Sequence, residues 1–110
     1  MTMTSNVSSL PRCSVVRVSD AELAISGDMV FATANELRSE GQKLLSGMHN
    51  EITVDLSQVS RVGSVGLSVL MCWLRMAQVL GKSMRFVNAP DGMMDVSRVS
   101  SLEQVIPFSN

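Results

Sequence analysis

The 110-residue sequence predicts an α/β fold: a small, mixed, mostly parallel four-stranded sheet with helices packed against it. Three observations carry that expectation. Short β-branched runs alternate with longer apolar stretches at helical spacing. Gly and Pro punctuate the junctions between them. An apolar content of 45% is in the globular range and suffices for one modest core.

The expected element order is β-β-α-β-α-β-α-α. Residues 1–12 are rich in Ser and Thr, close with Pro11, and read as a flexible leader before a single domain over 13–110. Residues 14–18 (SVVRV) and 22–26 (ELAIS) suit a hairpin turned at Ser19, Asp20 and Ala21, with Gly27 and Asp28 as its exit. Residues 33–46 read as the first helix. Thr33 and Glu36 have capping-box spacing, Gly47 supplies a stop, and Ala34, Leu37, Leu44 and Leu45 form the core stripe, with Gly41 a mild weakness.

Residues 52–56 (ITVDL) have the mark of a buried strand, 57–64 of a polar loop, and 65–80 of a second helix ended by Gly81. A fourth strand follows at 83–88, stopped by Ala89 and Pro90. Residues 91–99 suit a third helix capped by Asp91, and 101–105 a short fourth one before Pro107.

Composition excludes several functions. Net charge is −1 and no Lys/Arg cluster occurs, which disfavours nucleic acid and anionic membrane surfaces as partners. Trp73 is the single Trp and Tyr is absent, so stacking platforms are not expected. Cys13 and Cys72 are isolated and His49 is the one histidine; no metal or other cofactor is expected. The longest apolar run, 69–74, is too short to span a bilayer, and the N-terminus lacks a secretory signal core. The expectation is a cytoplasmic protein without direct membrane insertion.

Catalysis is not expected either. A serine nucleophile needs a neighbouring base, and His49 precedes the third strand, away from Ser64. Gly63-Ser64-Val65-Gly66 lacks the spacing of the G-x-S-x-G elbow, and no phosphate-binding GxxxxGK[ST] loop occurs. Asp55, Asp91 and Asp95 read as strand-end and helix-cap residues.

Two features remain. Ser64 stands where it can cap the second helix, or present a hydroxyl for phosphorylation or contact at a helix N-terminus. On the helical wheel of that second helix the polar residues Ser68, Arg75, Gln78 and Lys82 fall in one narrow sector. Its apolar arc is about twice the roughly 100° that packing on a sheet requires. The excess is either sandwiched within the domain or left for a partner protein, with Trp73 or Met76 as anchor.

ISGD at 25–28, VDLSQVSRVGSVGL at 54–67 and the return strand after Gly81 together resemble the STAS domain family. The resemblance covers most of the chain beyond the leader. Its most specific part is a D-x-S-x-V-x-x-x-D-S-x-G-L pattern, matched by Asp55, Ser57, Val59, Ser64, Gly66 and Leu67. Gly63 stands in place of the family's second aspartate. The family implies a non-enzymatic protein-interaction module, in one of two branches. The size, the wide apolar helix and the tail LEQVIPF are similar to the stand-alone, MlaB-like STAS subunit of the Mla phospholipid-transport ABC system. That branch implies binding to the ATPase subunit, and through it the permease, in maintaining outer-membrane lipid asymmetry. The other branch implies an anti-sigma-factor antagonist switched by a serine kinase at Ser64. Either way the resemblance makes Ser64 a partner-interface residue or phosphosite, with Arg61, Gly63, Val65, Gly66, Leu67, Ser68 and Trp73 around it.

Overall fold

The computed structural model describes residues 10–109. Strands β1 (Cys13–Ser19) and β2 (Glu22–Met29) form an antiparallel hairpin. Helix α1 (Phe31–Leu45), strand β3 (Glu51–Val62), helix α2 (Ser64–Val79), strand β4 (Ser83–Val87), helix α3 (Asp91–Val99) and strand β5 (Phe108–Ser109) follow. The five strands lie side by side in chain order, and every pairing after the hairpin is parallel. Right-handed crossovers that advance steadily in one direction place all three helices on the same face of the sheet.

The burial pattern records this two-layer build. Ile52, Val54 and Leu56 are buried under the helices, whereas Glu51 is exposed and Thr53 and Asp55 are half-exposed on the open face. Residues 52–56 are therefore buried on one side only, the alternation of a half-solvated sheet. The core joins Leu23 and Ile25 of β2, Leu67, Leu70 and Trp73 of α2, and Phe86 of β4.

The structure corrects several expected boundaries. β2 does not stop at Gly27 and Asp28 but runs on to Met29. Gly27 makes this possible: its φ is +102°, and a Cβ there would lie 2.1 Å from the Arg12 carbonyl oxygen. β3 likewise continues through the expected polar loop to Val62, because the extended β2 gives residues 58–62 a parallel partner. The short fourth helix is absent; turns occupy its place, and a fifth strand pairs Phe108 with Phe86. Asp91 is the first residue of α3, not its cap, which is Pro90.

In α1, Thr33 is not the N-cap but sits one turn inside the helix. Its Oγ1 donates to the Asp28 carbonyl at 2.6 Å and accepts the Val30 N–H at 3.2 Å. Leu44 is half-buried, while Gly41 belongs to the core side. Of the expected leader, residues 1–9 lie outside the described residues. Arg12 is tied to the sheet, its carbonyl accepting the Asp28 N–H at 2.7 Å.

Candidate functional site

The carboxyl ends of β2 and β3 assemble the site. β4 pairs with β3 only as far as Asp55 opposite Val87; beyond that point β3 pairs with β2 alone. This arm ends with Met29 beside Val62. At its root the Asp55 carboxylate accepts the Ser57 N–H at 3.0 Å and the Asn88 side-chain amide at 3.1 Å. Both bonds favour the ionised form, the backbone one most, and hold the Asp55 carboxyl below its ordinary value.

On the arm, Arg61 donates to Asp28 at 3.1 Å, and the carboxylate raises the guanidinium further above its usual range. The Gly63 N–H donates to the Met29 carbonyl at 2.9 Å, which turns the chain into α2. Gly63 is the N-cap, and no side-chain cap is made. The expectation that Ser64 caps the helix is thus corrected: Ser64 is its first residue, exposed, and its hydroxyl has no hydrogen-bond partner among the described residues. Its freedom follows from the backbone, since Gly63 supplies the extended N-cap conformation and its carbonyl accepts the Gly66 N–H at 2.9 Å.

The two glycines of this turn differ. A Cβ on Gly66 would lie 2.9 Å from both Cβ and the carbonyl oxygen of Met29, so the head of α2 rests directly on the β2 backbone. A Cβ on Gly63 would meet nothing within 4 Å. An aspartate would fit there.

The residues expected at an interface therefore separate. Arg61, Gly63, Ser64, Val65 and Ser68 reach solvent in full or in part. Gly66 and Leu67 are buried beneath them. Trp73, expected as a partner anchor, is fully buried, which corrects that role. Its indole fits against Gly41, where a Cβ would sit 2.1 Å from the ring, and its Nε1–H donates to the Arg38 carbonyl at 3.1 Å. Trp73 joins α2 to α1.

Phe31 is the residue that sequence reasoning passes over. It is 87% exposed and lies two residues beyond Met29, at the same end of the sheet as Ser64. The signal in the sequence is an aromatic residue in the gap between the expected exit at Gly27 and Asp28 and the expected helix start at Thr33.

His49 precedes the opposite end of β3, with its Nδ1 accepting the Glu51 N–H at 3.3 Å. A twelve-residue strand separates it from Ser64 by more than roughly 30 Å. This histidine cannot serve as base for that hydroxyl. Among the described residues no three His, Cys, Asp or Glu side chains group as metal ligands, and no helix is long and apolar enough to cross a membrane. The Cys13 thiol is pushed up to about 11, by burial first and by the Asp28 carboxylate second.

A family model described as Mlab, STAS domain, matches residues 14–107. No curated protein sequence matches significantly. Among solved structures, a chain of the Acinetobacter MlaFEDB complex in an ATP-bound conformation is similar at a TM-score of 0.71 and 25% identity, covering 80% of this chain and 93% of that one. An anti-sigma factor antagonist from Mycobacterium paratuberculosis gives 0.70 and 22%, over 90% and 85%. The unphosphorylated anti-sigma factor antagonist SpoIIAA gives 0.68 and 13%, over 92% and 89%. The last two share the fold.

Proposed function

The chain belongs to the STAS domain family, and from that premise we propose that it is a non-enzymatic accessory subunit of an ABC phospholipid-transport complex. In this reading it binds and supports the cytoplasmic ATPase, and so associates with the inner membrane through the permease. The observation that carries the reading is the match to the Mlab-type model over nearly the whole described chain. The likeness to a chain of an MlaFEDB complex supports it.

Contact would be made at the exposed turn of Arg61, Gly63, Ser64, Val65 and Ser68, with Phe31 beside it. The turn is well suited to docking. Among the described residues its hydroxyl is unengaged, and the Ser64 and Val65 N–H groups at the start of α2 have no backbone partner.

A second reading, an anti-sigma-factor antagonist switched by phosphorylation, is favoured by the same free hydroxyl of Ser64. Phosphate there would add nearly two negative charges at a helix N-terminus. One experiment separates the two. The tagged protein, recovered from its own cells and identified by mass spectrometry with its companions, should bring an ABC ATPase and permease. Ser64→Arg should lower the ATPase recovered by at least about tenfold, the loss expected when a central interface position is blocked. Recovery of a small serine kinase, with phosphate on Ser64, would establish the second reading instead.

A further inference from the structure

We propose that the cleft between α1 and α2 receives one amphipathic helix with acidic flanks, contributed by the transporter ATPase; this rests on the accessory-subunit reading above. Two hollows open between these helices and share Cys72 in their linings; taken end to end they make a shallow channel along α2. Val65, Cys72, Met76 and Val79 line it from α2, spaced so that they fall along one flank of the helix. From Val65 to Val79 the flank is about 21 Å long, or about four turns. Val79 is 83% exposed there. A partner helix carrying apolar residues at i, i+3/i+4, i+7 and i+11 matches that length.

Charge determines what can flank the apolar stripe. Arg38 of α1 lines the first hollow and Arg75 of α2 the second, and no carboxylate lines either one. α2 contains no acidic residue, while Glu36 and Glu40 of α1 face the β1 side. Among the described residues neither arginine is in an ion pair; Arg38 only donates to the neutral Asn35 side chain, at 2.7 Å. A mainly apolar channel, its other polar lining the neutral Asn35, Ser68 and Gln42, rimmed by two unneutralised guanidinium groups favours carboxylates beside the stripe over a basic helix.

The walls are also set in advance. Trp73 is buried between α1 and α2, against Gly41 and the Arg38 carbonyl, and this fixes their separation. A channel held open in the free protein spares the partner an ordering cost. Met76, between Cys72 and Val79, adapts to the partner's side chains. The upper end of the channel begins at Val65, next to Ser64, so one partner can cover both the turn and the cleft.

The test uses the full-length chain and the ABC ATPase from the same cell, both purified. Cys72 is alkylated with and without ATPase and read by peptide mass spectrometry, while Cys13, half-buried with its raised thiol pKa, serves as internal reference. ATPase should slow Cys72 alkylation at least about tenfold, and the double variant Arg38→Glu/Arg75→Glu should weaken binding at least about tenfold. The emission of Trp73, the single Trp, checks that the variant keeps its buried core. A photoreactive group on Cys72 should cross-link to a helical segment of the ATPase rich in Asp and Glu. ATPase binding with unchanged Cys72 reactivity, and a double variant within about twofold of the wild type, would overturn the cleft proposal and leave the accessory-subunit reading standing. Failure of the wild type to bind the ATPase would overturn both. Protection of Cys72 by anionic vesicles, or by self-association alone, would replace the occupant and overturn the proposal.

Discussion

The two flanks of α2 are built from similar apolar residues and have opposite fates. Leu67, Leu70, Trp73 and Ala77 are fully buried against the sheet and α1. Val65, Cys72 and Met76 are half-covered, and Val79 is open to solvent. Hydrophobicity does not separate the flanks. What separates them is the neighbour: β2 through Met29, β3 and β4 lie below the first, and Gly41 lets Trp73 pass between helices, whereas the second is covered only in part, along the edge of α1.

The largest effect should come from emptying the buried flank. Trp73→Ala should destabilise by about 3–5 kcal/mol, against about 0.5 kcal/mol or less for Val79→Ala, measured by chemical denaturation. Equal losses would break the contrast.

Next comes the fit between α1 and α2. Gly41→Ala places a Cβ against the indole and should cost about 1–3 kcal/mol. In a Trp73→Ala background the cost should shrink, because the atoms it strikes are gone. A double-mutant cycle measures this, and strict additivity would mean that the notch is not the reason for the glycine.

The turn at the head of α2 offers a smaller contrast of the same kind. Gly66→Ala forces the helix off the Met29 backbone and should lower the melting temperature, with a loss of about 1–2 kcal/mol. Gly63→Asp has open space and places an acceptor at an N-cap. It should be neutral or stabilising by a few tenths of a kcal/mol.

The smallest effect concerns the sheet beneath both flanks. Because Asp55 is held below its ordinary value in the folded protein, its contribution is present above the normal carboxylate range and is lost as pH falls through its folded value. Asp55→Asn should therefore flatten the acid side of the stability profile below about pH 4 and change its shape little near neutrality. An unaltered acid limb would show that the Ser57 and Asn88 bonds do not distinguish the ionised carboxylate.

Much of this was legible in the chain itself. The short, bounded β-branched runs 14–18 and 52–56 identified strands because composition and punctuation are local properties. The uninterrupted helical spacing after Gly63 located α2, and the Ser64 turn stood out because a strand runs into a helix there. The site was half legible: Arg61, Gly63, Ser64, Val65 and Ser68 do reach the surface. Trp73 was misplaced and Phe31 missed, since exposure depends on neighbours that lie far away in sequence.

By itself, then, the sequence determined the α/β class, the approximate positions of the helices, and a hydroxyl at the head of α2. These depend on periodicity and punctuation within a few residues of each point. Only the tertiary structure decided that 57–62 would be strand, that Phe108 would pair beside Phe86, and which apolar flank of α2 would become core. The physical reason is common to all three. A polar segment becomes a strand when a distant one offers its backbone partners, and an apolar side chain becomes core when a remote glycine leaves room for it.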